Sequence, residues 1–328
     1  MKTSFVASLI IILLLASCSN EAGNSLFSQP PYDKITDSIK MAPNNSDLYY
    51  RRAGLLYSNN QIGYSEVDLR KAWSLNPKEE YALSIITVLK QKNTDTAIAF
   101  IESALKKLPN SIALKIGLAR GYQQKDQPVK GLAICNSILE SFPKQLDALV
   151  LKSDLLKQQN KPSEALSVLE QAYSYAPMDK DLAYDLAYDY ASSKNAKAIS
   201  LADTLIKKDS TETVARAYYV KATYFVNVNN PSEALKNYDA SIAHDYNFLD
   251  SYLDKGKLLY IQKKYTDAQN VFTLALKVSP ATADFYFWLA KTQEAMENKK
   301  EAKLNYQRAY GLDHTLKEAK QSADHIHD

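Results

Sequence analysis

The side chains that could do chemistry gather in the run YDLAYDY, residues 184–190. Tyr184 and Tyr188 are four apart, so on a helix they share one face, and Asp185 flanks them. A tyrosine offers a broad apolar ring with a hydrogen-bonding tip, which suits holding a partner better than breaking a bond. Nothing else argues for catalysis. The HExxH, CxxC, GxSxG and glycine-rich phosphate-loop patterns are absent. Carboxylates are numerous enough to pair by chance. The four histidines are His244, His314, His325 and His327, and the last two sit in a tail, HIHD, that reads as polar chain end rather than a metal site. The chain is therefore read as non-enzymatic, with no cofactor and no metal.

What must position these tyrosines is a repeat. The stretch Tyr252–Pro280 reads as two short amphipathic helices, the first with Tyr252, Gly256 and Leu259 on one face, the second with Tyr265, Ala268, Phe272 and Ala275. Two antiparallel helices approach closely only where neither places a large side chain at the crossing, which explains Gly256 and Ala268. Used as a ruler, this stretch finds copies along the chain. The Ala268 slot is filled by Ser65, Ala97, Gly131, Ala165, Ala198, Ala234, Ala268 and Ala302, in steps of 32 to 36 residues. The Gly256 slot holds Ala53, Ile85, Ala119, Ser153, Ala187, Ala222, Gly256 and Ala290, only one of them bulky. Pro77, Pro109, Pro143 and Pro177 stop second helices as Pro280 does. Pro128, Pro162 and Pro231 open second helices, where a missing N–H costs nothing, and Asn93, Asn230 and Asn298 stand where N-caps belong. The fifth copy is the weakest, with neither an aromatic nor a stop proline in its second helix.

This spacing resembles the tetratricopeptide repeat, a helix–turn–helix unit of about 34 residues. The resemblance implies an all-α, right-handed α-solenoid of about eight repeats over 46–314, with a capping helix at 32–45 and a terminal helix or tail at 315–328. Only 8 glycines among 328 residues, with 46% hydrophobic residues, fit a helix-rich chain. In the family the first helices line a concave groove that binds peptides, and the lining slots here are those of Asp250, Leu253, Lys257 and Tyr260. The Leu253 slot holds Tyr50, Ala82, Ile116, Val150, Tyr184, Tyr219, Leu253 and Phe287. Tyr184, Asp185, Tyr188 and Tyr219 would thus form an aromatic, acidic patch, with Tyr260 further along. A plainer reading stands beside it: these residues pack against the next repeat, and the acids of the Asp250 slot offset helix dipoles. The Lys and Asn with which chaperone-binding members hold a terminal carboxylate have no match, since Tyr50, Gly54 and Ala82 stand there.

Residues 1–17 carry one cation, Lys2, then an apolar run too short to span a bilayer comfortably. It ends Leu15-Ala16-Ser17-Cys18, which resembles the lipobox of bacterial lipoproteins; an ordinary signal or a short anchor with a coincidental cysteine is the plainer reading. The resemblance implies lipidation of Cys18, a tether over 18–31 and a place in the bacterial envelope. Ser19, where aspartate would favour inner-membrane retention in enterobacteria, leans toward the outer membrane. The other cysteine, Cys135, falls in the buried Phe272 slot and behaves there as a small hydrophobe. Formal charge is +3, from 40 basic and 37 acidic residues, a balance that argues against nucleic acid as a partner. The reading is a membrane-anchored scaffold that binds a protein or peptide. The alternatives are an assembly or pilotin-like factor of the outer membrane and a glycan-binding lipoprotein of nutrient uptake. Cys18→Ser is expected to abolish lipid labelling and leave the protein unprocessed or soluble; a processed, membrane-bound variant would show that Cys18 is not the anchor.

Overall fold

The structure is a computed structural model that describes residues 26–208 and 211–326; the segment read as a signal, Cys18 and His327 lie outside them. The described residues form eighteen helices and no strand. The chain divides into two compact units, one up to residue 165 and one from 166 onward.

Unit 1 opens with a single helix, α1 (Asp33–Met41), followed by helical hairpins α2/α3 (Ser46–Ser58, Ile62–Leu75), α4/α5 (Glu79–Lys92, Thr94–Lys107) and α6/α7 (Ile112–Gln124, Pro128–Ser141). Then come α8 (Leu146–Gln158) and the start of α9 (Pro162–Tyr175). Unit 2 contains the hairpins α10/α11 (Lys180–Ser192, Lys197–Lys208), α12/α13 (Thr211–Asn227, Pro231–His244), α14/α15 (Leu249–Ile261, Tyr265–Val278) and α16/α17 (Ala283–Ala295, Lys299–Leu312), closed by α18 (Lys317–His325). The longer spacing between the fifth and sixth repeats is taken up by α12, which has 17 residues where the other first helices have 13 or 14.

The crossing slots pack as their residue types require. Every occupant of the Ala268 slot is buried. Where that slot or its partner is serine, the hydroxyl bonds across the crossing: Ser65 Oγ donates to the Ala53 carbonyl at 2.9 Å, and Ser153 Oγ to the Ala165 carbonyl at 2.9 Å. The backbones approach closely enough that a buried hydroxyl finds its acceptor on the facing helix. Gly256 faces the fully buried Phe272, and a Cβ there would stand 2.3 Å from the ring.

The turns inside seven hairpins each hold one residue in the left-handed region, φ between 54° and 62°: Asn60, Asp126, Asn160, Lys194, Asn229, Lys263 and Glu297. Asparagine and aspartate tolerate that region, whereas Lys194, Lys263 and Glu297 sit there at a cost. Asn93 and Asn230 cap their helices through their side chains, onto the N–H groups of Asp95 and Glu233, but Asn298 makes no such bond.

The end of the segment read as a tether is not free. Phe27 lies edge-on to Tyr64, ring centres 5.5 Å apart, and the Arg52 guanidinium stands 4.2 Å over its ring. Arg52 itself is buried and makes a two-pronged ion pair with buried Asp68 (2.6 and 2.8 Å), with a third bond to Thr36 of α1. Tyr32 and Ile39 are the buried residues of this cap. At the other end Ala319, Ala323 and Ile326 join a core cluster with Phe287, Ala290 and Tyr306.

Two glycines give the crossing a test of sign. In an exposed helix interior Gly→Ala stabilises by about 1 kcal/mol, and Gly311, in the exposed last turn of its helix with nothing within 4 Å of an added Cβ, is expected to gain a smaller amount of the same sign. Gly256→Ala is expected to destabilise instead, by about 1–3 kcal/mol net, because the Phe272 ring must move. Chemical melts of the two variants decide it: shifts of the same sign would mean that Gly256 does not set the crossing.

Candidate protein-binding groove

Within each unit the first helices of successive hairpins touch one another: α4 with α6 and α6 with α8 in unit 1, α10 with α12 and α14 with α16 in unit 2. A face built from first helices alone therefore runs across the hairpins, and the predicted groove slots lie on it.

In unit 2 the tyrosines come together. The rings of Tyr184 and Tyr188 are stacked at 6.4 Å, and those of Tyr188 and Tyr219 at 6.3 Å and within 7° of parallel. Their environments differ. Tyr188 is 37% exposed, whereas Tyr219 is only 8% exposed and belongs to a core cluster with Ala222, Ala234 and Tyr238. The sequence left Tyr219 open between groove lining and packing against the next repeat; the structure buries it, with Phe248 edge-on against it at 5.3 Å and Tyr238 at 6.0 Å. Tyr219 supports the stack, and Tyr188 presents it. Tyr184 and Asp185 are half-buried beside it.

Three residues of this face escape sequence reasoning. Arg216 places its guanidinium carbon 3.8 Å from the centre of the Tyr184 ring while donating to Asp181 at 2.9 Å. It occupies the Asp250 slot, where most repeats carry an acid, so the reversal of sign opposite an acid one repeat earlier was the available signal. Asp254 accepts the Tyr219 hydroxyl at 2.7 Å with one oxygen, and its other oxygen lies 3.5 Å from Lys257 Nζ. Lys257 in turn stands 5.6 Å over the Trp288 ring, Tyr260 meets that ring edge-on at 5.7 Å, and Lys291 covers it at 5.3 Å. Tyr260 thus does not join the tyrosine stack. It belongs to a second aromatic group, linked to the first through Asp254 and Lys257. No spacing rule selects Asp254 or Trp288.

Burial, and then the neighbouring Asp254 carboxylate, push the Tyr219 hydroxyl far above the ordinary tyrosine range, and burial raises Tyr184 despite the nearby Arg216. Both remain neutral hydrogen-bonding groups at physiological pH. Burial alone carries the Cys135 thiol up to about 11, so it stays protonated and unreactive at neutral pH. Among the described residues no cluster of His, Cys, Asp and Glu could hold a metal ion, and no helix is long and apolar enough to cross a membrane.

In unit 1 half-buried Tyr50 of the corresponding face packs on fully buried Tyr81, ring centres 4.7 Å apart, with Asp47 accepting from both Lys78 (2.8 Å) and the Tyr81 hydroxyl. Lys78, more than any other group, holds the Asp47 carboxyl below its ordinary range. Asp147 faces Arg120 of the preceding hairpin at 3.6 Å. Acids of this slot therefore serve as ties between neighbouring hairpins in both units.

Family models described as tetratricopeptide repeat match residues 88–155, 146–178, 219–268 and 253–314, more than half of the chain. The chain belongs to the tetratricopeptide repeat family. Its sequence is 21% identical, over 344 residues, to the DnaJ homolog subfamily C member 7 homolog of Schizosaccharomyces pombe (strain 972 / ATCC 24843), covering 91% of this chain and 70% of the relative. A tetratricopeptide repeat protein from Parabacteroides merdae ATCC 43184 superposes with a TM-score of 0.58 at 17% identity, over 75% of this chain and 97% of that one. PilW, a type IV pilus biogenesis factor, gives a TM-score of 0.52 at 17% identity, over 64% and 96%. These likenesses to solved structures are likenesses of fold.

The different burial of the two stacked tyrosines predicts different melts. Tyr219→Ala is expected to cost about 3–5 kcal/mol, as large-to-small core changes do, and Tyr219→Phe about 1.5–3 kcal/mol through the bond to a carboxylate. Tyr188→Ala should cost about 1 kcal/mol or less. Equal melting of the two alanine variants would make the whole stack packing.

Proposed function

We propose that this protein is a non-enzymatic scaffold of the bacterial envelope, anchored by a lipid on Cys18, that holds a protein or peptide partner on the first-helix face of unit 2. The fold class supports the general part of this reading, since tetratricopeptide repeat proteins typically bind protein partners. The observation that carries the site is the tyrosine stack: Tyr188 is 37% exposed and braced from beneath by buried Tyr219. A rigid aromatic on a fixed support contributes contact area with little entropy to lose on binding, which is why tyrosines recur among binding hot spots. Cations of this face meet carboxylates: Arg216 with Asp181, Lys257 with Asp254, Lys291 with Glu318. Recognition then rests on ring faces and shape more than on net charge. Anchoring rests on the sequence alone, on the apolar run that ends at Cys18.

The test is cross-linking in native envelopes, purification through the protein in detergent, and comparison of wild type with Tyr188→Ala. A partner recovered with wild type is expected to fall about tenfold with the variant, the loss of a hot-spot residue worth about 1–2 kcal/mol. Unchanged recovery with normal stability would remove this face from the site. An outer-membrane barrel among the partners would turn the reading toward an assembly factor, and retention of glycans without protein toward uptake.

A further inference from the structure

The segment from Leu26 to Tyr32 is folded onto unit 1. Its main chain closes on itself: the Gln29 N–H donates to the Leu26 carbonyl at 3.3 Å, and the N–H groups of Tyr32 and Asp33 donate to the Gln29 carbonyl at 2.9 and 3.1 Å. Two side chains hold it down. Tyr32 is buried at the start of α1. Phe27, half-buried, meets the Arg52 guanidinium 4.2 Å from its ring centre and the Tyr64 ring, steeply inclined to it, at 5.5 Å.

The seat of Phe27 is set by bonds in which Phe27 has no part. Arg52 Nε and Nη2 donate to Asp68 at 2.6 and 2.8 Å, and Nη1 donates to Thr36 Oγ1 at 3.1 Å. The guanidinium cannot turn away without leaving a buried carboxylate unpaired. A cation fixed over a ring attracts its π face, more strongly where water is excluded. The charge of the seat is neutralised by Asp68, so the ring can leave without stranding a buried ion. The contact can therefore open while the hairpin α2/α3 stays folded.

This gives the chain between Cys18 and α1 two lengths. With Phe27 seated, the first held residue is Leu26, eight residues on from Cys18, and that stretch spans at most about 29 Å. With Phe27 released, the first held residue is Tyr32, fourteen residues on, and the stretch spans at most about 50 Å. We propose that the Phe27 seat is a releasable strap that sets the length of the membrane tether. Closed, it keeps the first hairpin of unit 1 near the bilayer; open, it adds about 20 Å of reach. The proposal rests on the reading of Cys18 as the lipidated anchor. A partner of unit 1 that lies beyond the shorter span is reached only by opening the strap.

The test uses the full-length protein purified in detergent from bacterial envelopes, with the lipid verified by the mass of the intact chain. A donor dye is attached through Met41→Cys, at a position of the cap that is 88% exposed, while Cys135 is buried. The protein is reconstituted in vesicles of phosphatidylethanolamine and phosphatidylglycerol that carry an acceptor dye on some headgroups. Phe27→Ala is expected to lower energy transfer as much as six Gly/Ser residues inserted after Asn24 of the wild type do. It should leave the melt of the repeats close to wild type, because Arg52 keeps Asp68. In detergent, the Gln29 amide should exchange slowly in the wild type and at least tenfold faster in Phe27→Ala. Wild-type transfer in Phe27→Ala, beside a lowered value for the insertion, would overturn the strap, and so would an unprotected Gln29 amide in the wild type. A chain that carries no lipid but still protects Gln29 would overturn the anchoring, and the proposal with it, leaving the seat as a packing contact of the cap.

Discussion

The interaction on which the rest depends is the close crossing of two helices at a pair of small residues. At Gly256 the Phe272 ring of the facing helix occupies the space a methyl group would need. At Ser65 and Ser153 the facing carbonyl is near enough to take a buried hydroxyl. A close crossing brings dispersion contacts along both helices and leaves little room for alternatives in a densely packed interior. It also fixes which side of each first helix is left over. Residues three and four apart from the crossing pack inward, and the remaining stripe becomes the face on which neighbouring first helices meet. Because each hairpin buries its remaining apolar surface only against its neighbours, the array needs closed ends. At the first end Tyr32 and Ile39 cover the opening, pinned by Arg52; at the last, Ala319, Ala323 and Ile326 do so.

That constraint explains which parts of the fold could be read from the sequence. The slots of Gly256, Ala268 and Phe272 are legible because size alone decides who may stand there, and eight copies in phase leave no other assignment. The hairpins follow from it. The Arg52–Asp68 pair was not legible, although it is buried and two-pronged. Charged residues are common, and nothing in a repeat pattern says which two will be drawn inside; a buried pair needs both partners and its desolvation is costly, so it is an exception to the pattern. Phe27 was misread for a related reason. In a stretch of polar residues, glycine and proline it looked like tether, and the guanidinium of Arg52 together with the Tyr64 ring gives it a seat. The left-handed turn residues were half legible: Asn60, Asn160 and Asn229 are the types expected, while Lys194, Lys263 and Glu297 are not.

The candidate site was legible as a region and not in its division of labour. Four-residue spacing correctly joined Tyr184 and Tyr188, and the repeat correctly brought Tyr219 beside them. What periodicity could not supply was depth. A first-helix slot is exposed or buried according to what the next hairpin places over it, and Phe248, in the link before α14, covers Tyr219. The same limit applies to charge. Acids at helix starts were open to a helix-dipole reading, yet Asp47, Asp147 and Asp181 each face a cation of an adjacent hairpin. These exposed pairs contribute little stability singly. Their larger consequence is geometric: each ties a first helix to the adjacent hairpin and neutralises the cation that takes part.

One slot shows where the fold stops dictating and function can begin. The crossing slots admit almost nothing but alanine, serine and glycine. The Lys257 slot, on the first-helix face, holds in successive repeats Gly54, Ile86, Arg120, Asp154, Tyr188, Thr223, Lys257 and Lys291. Apart from Ile86, each is at least partly exposed. These residues span absent, aliphatic, cationic, anionic, aromatic and hydroxyl side chains at equivalent points of the same scaffold. Packing cannot require such variety, since it tolerates all of it on one backbone. Within each unit the slot therefore presents a different chemistry at each hairpin, a bare backbone at Gly54 in unit 1 and a braced ring at Tyr188 in unit 2 among them. This slot is thus one at which a change of side chain alters the surface without disturbing the crossing beneath it.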